Sequence, residues 1–173
     1  METIKNSDAA QLLGVTNKEL YKTIYDRTVL NEIKLMRPSG RIEDVLISKP
    51  LIDKINERME AYSSMLKDKE EIYLNKIMKI PEKEYPLVYF LFQEDYLIYI
   101  GQTFNFKNRI GEHKRTKEIT SFAIEKQHRS DLSLMEALYI NRYRPPLNKM
   151  VFNTNDIIKM IMDRIDLFGE EFY

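Results

Sequence analysis

The residues able to do chemistry gather in the second half of the chain. The segment IYIGQTFNFKNRIGEHK, residues 98–114, passes from an apolar run through Gly101 into a polar stretch of helical character. On a helix, residues four apart share a face, so Arg109 and His113 would stand together and Lys117 would continue their stripe. A guanidinium presents a fixed fork of donors that suits phosphate oxygens. Such a face could handle a phosphate, or it could be a solvated charged surface. Glu136 is flanked at helical spacing by Leu132 and Ile140, with Met135 and Tyr139 beside it. A carboxylate on a partly apolar face is costly unless something pairs with it, and Arg142 is one candidate. Tyr89 and Tyr99 lie in β-rich runs. A tyrosine of ordinary pKa, about 10, is a poor base near neutral pH, and a neighbouring cation lowers that value. His113 is better matched to neutral pH. With no cysteine in the chain, thiol nucleophiles, zinc–thiolate sites and disulfides are excluded.

Those residues need elements to position them. LVYFLF and YLIYIG, separated by the polar QED, read as a hairpin whose strands carry Tyr89 and Tyr99. Asn105 can cap a helix over about 106–117, with Phe106 and Ile110 pointing inward. SFAIEK, residues 121–126, suits a third strand. Ser130 or Asp131 can cap a helix through LSLMEALYINRY, and Pro145-Pro146 ends it. After its strand, Gly101 allows an unusual backbone conformation and the close approach of a ligand. Asn148 can tie the PPLN loop to the sheet by side-chain hydrogen bonds, and His128 belongs to the surface.

The order strand, strand, helix, strand, helix, with these residues at these places, resembles the GIY-YIG endonuclease family over residues 85–150. The family's first motif falls at Leu87-Val88-Tyr89, with leucine in place of glycine, and its second is intact at Tyr99-Ile100-Gly101. Arg109 and His113 match the family's arginine and histidine, Glu136 its metal-binding glutamate, and Asn148 the asparagine that closes the module. The resemblance implies hydrolysis of a phosphodiester, with Mg²⁺ or Mn²⁺ as a single ion on Glu136. Magnesium keeps several waters and often takes only one or two protein carboxylates. It also implies that Tyr89 takes a proton from the attacking water while Tyr99 positions or assists. From the residues alone, Tyr89, Tyr99 and His113 all stay open as the general base. The expected fold is α+β, a small module with a three-stranded antiparallel sheet flanked by helices.

The first half suggests a partner for that module. Ser7 or Asp8 can cap a helix ending before Gly14, and Thr16 or Asn17 can cap a second carrying Leu20, Tyr21 and Ile24 on one face. IKLMRPSGRIEDVLIS offers two strands around the turn Pro38-Ser39-Gly40. The segment resembles the winged helix-turn-helix domains of the excisionase type, which implies DNA contacts from Asn17, Lys18, Lys22 and Arg27, with Lys117 a further candidate. Residues 51–79 read as one helix, on which Ile55, Met59, Tyr62, Leu66 and Tyr73 recur at near-heptad spacing. Lys69 and Lys76 interrupt that stripe, which favours a connecting helix over a coiled coil; a homodimer through it is the alternative. The expected division is 1–50, helix-turn-helix; 51–80, connecting helix; 81–150, nuclease-like module; and 151–173, an amphipathic helix stopped near Gly169.

Charge narrows the partners. The formal net charge is zero. Residues 1–80 hold 14 Lys or Arg against 13 Asp or Glu, residues 81–150 hold 11 against 9, and residues 151–173 hold 2 against 5. No segment is a basic tail, so any nucleic-acid site must be local and shaped by the fold. No apolar run approaches membrane-spanning length, and METIKNSDAA has no hydrophobic signal core, so a cytoplasmic protein is expected. The expectation that follows is a metal-dependent DNA endonuclease targeted by its helix-turn-helix, of the kind used by mobile elements and phages. The alternative is a DNA-binding regulator carrying an inert nuclease-like module.

Overall fold

The structure, a computed structural model, describes residues 2–28, 40–77 and 79–168. In chain order the elements begin with β1 (Thr3–Lys5), α1 (Asn6–Leu13), α2 (Asn17–Thr28), a short 3₁₀ turn (Ile42–Asp44), β2 (Leu46–Ser48) and α3 (Lys49–Met65). Then come α4 (Lys69–Leu74), β3 (Leu87–Gln93), β4 (Tyr96–Thr103), α5 (Phe106–Lys114), β5 (Ser121–Lys126), α6 (Leu132–Tyr143) and α7 (Thr154–Phe168). The chain divides into two compact units: residues 1–64 with 153–173, and residues 65–152. Among the described residues, no helix is long and apolar enough to cross a membrane.

The first unit is mostly helical. Thr16 caps α2 through its hydroxyl, which accepts from the Glu19 N–H, while Glu19 accepts from the Thr16 N–H in return. Gly14 closes α1 at φ 67°, a left-handed turn that costs glycine little. Neither Ser7 nor Asp8 caps α1. The helix begins at Asn6, whose N–H bonds the Val45 carbonyl at 2.8 Å, so one donor of its first turn is met by another segment. The expected wing also differs. Residues 29–39 lie outside the described residues, Ile42–Asp44 form the 3₁₀ turn, and β2 pairs antiparallel with β1. The core joins Ala9, Leu13, Leu20, Ile24, Ile47, Ile52 and Ile55 to Ile158 and Met162 of α7. The C-terminal helix is therefore part of this unit, not an appendage.

The expected helix over 51–79 is broken. Between α3 and α4, the Lys67 N–H donates to the Tyr139 hydroxyl at 3.0 Å, and the Tyr143 hydroxyl donates to the Lys67 carbonyl. Side chains of α6 thus take the peptide groups that a continuous helix would use. Asp68 then starts α4 with a capping box to Glu71.

The second unit is built on a three-stranded antiparallel sheet in the order β4-β3-β5. Central β3 is buried from Leu87 to Phe92, which explains why LVYFLF is continuously apolar instead of alternating. One face packs Leu87, Tyr89 and Leu91 against Phe106 and Ile110 of α5. The other meets α6, where Phe90 and Tyr139 stack edge to face at 5.0 Å. The α+β class and the helix-flanked three-stranded sheet are as expected. Asn105 caps α5 by accepting the Asn108 N–H at 3.0 Å. At the end of α6, Arg144 leaves the helix in the left-handed region, φ 44° and ψ 58°, and its N–H bonds the Ile140 carbonyl at 2.8 Å.

Candidate active site

Alternation along β3 and β4 decides what stands above the sheet. Tyr89 pairs with Gly101 and Leu91 with Tyr99, so both tyrosines project from the face that α5 covers. From α5, Arg109 and His113 point back toward them. Gly101 makes this possible. A Cβ there would stand 2.3 Å from the Tyr89 hydroxyl oxygen, so only glycine admits the phenol across the strand. The ordinary backbone corrects the unusual conformation expected at Gly101, and the side chain in close approach to it is a tyrosine of the chain itself.

The Tyr89 hydroxyl is the hub. It lies 2.8 Å from His113 Nε2 and accepts from Arg109 Nε at 3.2 Å. The other imidazole nitrogen, Nδ1, lies 2.8 Å from Lys117 Nζ. An ammonium only donates, so Nδ1 accepts and the ring's proton sits on Nε2, donated to Tyr89. Lys117, expected as a DNA contact, fixes this tautomer in the structure, and it also stands 5.1 Å over the Tyr99 ring. Burial, then the charges of Lys117 and Arg109, press the His113 pKa down to about 4, so the imidazole is neutral near pH 7. Burial also raises the Tyr89 pKa, outweighing the lowering by the Arg109 hydrogen bond. The cation beside Tyr89 therefore does not make it a phenolate. Tyr89 is fully buried, whereas Tyr99 is partly exposed.

Arg109 faces outward on its other side, with Nη1 2.7 Å from Glu112 Oε2, an exposed pair at helical spacing. Water screens such a pair and holds it weakly, so the guanidinium can be drawn to another anion.

Glu136 approaches from α6. Its Oε2 accepts from Gln102 Nε2 at 2.8 Å, and Gln102 also reaches Ser133 Oγ at 3.1 Å. Burial raises the Glu136 pKa, while the Gln102 hydrogen bonds and the charge of Arg109 lower it. The pairing with Arg142 weighed from the sequence is not what holds it; Arg142 donates to the Leu66 carbonyl. Among the described residues, no group of three or more His, Asp or Glu side chains could hold a metal ion. A hydrated divalent cation still fits Glu136 alone. The carboxylate is desolvated and met by a neutral amide, so a cation would offset the cost of its charge.

Asn148 bridges the edge of β4. Its Oδ1 accepts the Ile100 N–H and its Nδ2 donates to the Ile100 carbonyl, each at 2.8 Å. It has the structural role expected of it. His128 is exposed, as expected. Asn17, Lys18 and Lys22 lie on α2 in the other unit, the two lysines exposed; the side chain of Arg27 lies outside the described residues. Sequence reasoning passed over Gln102 and Glu112. The i,i+3 spacing from Arg109 could have found Glu112. Gln102 had only its position after Gly101, on the opposite face of the strand. No family model matches the chain, and no curated protein and no solved structure matches it.

Proposed function

We propose that the second unit is a metal-dependent DNA endonuclease of the GIY-YIG type, with the first unit holding or selecting the target as a helix-turn-helix domain. The observation that carries this reading is the Tyr89 hub beneath Gly101, which gathers Arg109, His113 and Lys117 on one side of the sheet. Structural tyrosines do not need two cationic side chains around them; a phosphate does.

In the proposed reaction, Arg109 leaves its exposed partner Glu112 and takes the non-bridging oxygens of the scissile phosphate. Its donors then face the charge that grows there as water attacks. Tyr99 is the phenol that water can reach, and its hydroxyl accepts a proton from the attacking water while passing its own to a non-bridging phosphate oxygen. The water oxygen bonds to phosphorus as the opposite P–O bond breaks. Tyr89 is a positioning residue, holding Arg109 and, with Lys117, the His113 ring. Glu136 would hold the Mg²⁺ or Mn²⁺, which when bound supplies positive charge against the phosphate and leaving oxygens. One such site cuts one strand, so a double-strand break needs a dimer or a second turnover.

The test is incubation with supercoiled plasmid and Mg²⁺, beside an EDTA control and the Glu136→Ala and Tyr99→Phe proteins. Nicking that disappears with EDTA and with Glu136→Ala, and falls at least about a hundredfold with Tyr99→Phe, is the expected result. Cleavage persisting in Glu136→Ala would unseat the metal assignment. Tight DNA binding without cleavage of duplex, branched or single-stranded DNA would favour a regulator with an inert module.

A further inference from the structure

Beside this site the surface carries an aromatic–cation pair that the chemistry above does not use. Phe104 follows directly on β4, two residues beyond Gln102, whose side chain holds Glu136. It is 47% exposed. The Arg129 guanidinium, from the loop between β5 and α6, lies over its ring at 5.2 Å from the centroid. Scattered exposed apolar side chains are ordinary on protein surfaces and by themselves mean nothing. This one differs in three respects. Its backbone is pinned, because the Asn105 N–H bonds back to Thr103 Oγ1 at 3.0 Å and Asn105 caps α5. Its partner is an exposed cation. It also stands at the end of the strand that carries Tyr99, Gly101 and Gln102 past the reacting centre.

We infer that Phe104 and Arg129 form a stacking platform for an unpaired base next to the scissile phosphate, so that the preferred substrate is DNA with an unpaired nucleotide at the cut. This rests on the nuclease reading and narrows it. An aromatic face and a neighbouring guanidinium are the two features that single-stranded nucleic acid engages, the ring by stacking and the cation by charge. Duplex DNA offers a surface residue phosphates, sugars and groove edges, while its base faces are covered by their neighbours. A phenylalanine therefore gains little from an intact duplex and much from a base that has left the stack. Arg129 keeps the ring oriented while the platform is empty and meets backbone phosphate when it is filled.

The experiment compares the full-length wild type with Phe104→Ala, Phe104→Trp and Arg129→Gln. Binding to one fluorescein-labelled oligonucleotide is read by anisotropy, single-stranded and as its duplex, at one salt concentration and with EDTA to prevent cleavage. Phe104→Ala should weaken single-strand binding by roughly fivefold to a hundredfold and change duplex binding less than about twofold. Phe104→Trp should keep the affinity, and Arg129→Gln should lower it. Matching wild-type unfolding midpoints would tie a loss to the lost ring rather than to misfolding. Equal losses on both forms, or no loss on the single strand, would overturn the platform. If the wild type still nicked plasmid, the nuclease reading would survive that result. Tighter, Phe104-dependent binding to the same sequence in RNA would overturn the assignment to DNA. A wild type that cuts no DNA of any form with Mg²⁺ would remove the nuclease reading, and the platform with it.

Discussion

The neutral imidazole of His113 shows how much of the site is set by contacts between single residues. Tyr89 and Lys117 occupy its two nitrogens, Arg109 and Glu112 add charge nearby, and the chain holds only one other histidine, His128. Both ring nitrogens being engaged, His113 orients Tyr89 and is not free to take a proton from water. The native pKa of about 4 lies below the ordinary value of 6.5, so above about pH 6.5 the ring is neutral folded or unfolded. Below that, the unfolded chain binds a proton that the native state refuses. Stability should therefore fall as pH drops from about 6.5 to about 4, by at most about 3 kcal/mol from this group. Urea unfolding of wild type and His113→Gln at several pH values isolates it. Carboxylates contribute alike to both proteins, including Glu136, whose raised pKa works in the opposite direction. The wild type should lose more stability over this interval, and parallel curves would contradict the account. The two histidine ring signals in an NMR titration give a direct check.

At the scale of elements, the site depends on β4, an edge strand that among the described residues pairs with a strand, β3, on one side only. The open side of β4 is closed by the 145–148 loop, where the Leu147 N–H bonds the Ile98 carbonyl and Asn148 takes both peptide groups of Ile100. A single side chain thus stands where the next strand would be. Asn148→Ala should cost about 1–3 kcal/mol, because it leaves a donor and an acceptor of the strand without partners. It should also shorten amide-exchange protection at Ile100, next to Gly101, while leaving the first unit unchanged. Unaltered protection there would show that the loop backbone alone suffices. This contact was legible in the sequence because asparagine in a PPLN loop has few other uses. So were the hairpin, the Asn105 cap and the helical face of Arg109 and His113, each governed by neighbours along the chain. The break between α3 and α4 was not legible. Tyr139 and Tyr143, far along the chain, impose it by claiming the peptide groups of Lys67. Likewise, spacing could not reveal that Gly101 makes room for Tyr89, since that depends on cross-strand register.

Over the whole molecule, the second unit is an insertion in the sequence of the first, which is completed only by α7. Ile157, Ile158, Ile161 and Met162 are at most 4% exposed, and Ile158 and Met162 share a core with α1, α2 and α3. Thr23 donates to Asn155 Oδ1 at 2.7 Å. Pattern alone identified α7 as amphipathic but could not say which unit its apolar face would join. The difference matters for function. Each of those four side chains contributes about 1.5–3 kcal/mol on burial, and together they rival the 5–15 kcal/mol that typically holds a domain folded. A chain ending at Phe152 should therefore lose the first unit while the second, whose sheet and both flanking helices lie within 65–152, stays folded. Amide exchange read by mass spectrometry should show lost protection over α1–α3 and unchanged protection over β3 and β4. If the first unit carries the duplex contacts, the truncated protein should also lose duplex affinity and its dependence on salt, since fewer phosphates would be neutralised. Metal-dependent nicking should remain, at a higher protein concentration. Loss of protection in both units at once would show that they fold as one, and the proposed division between recognition and chemistry would have to be abandoned.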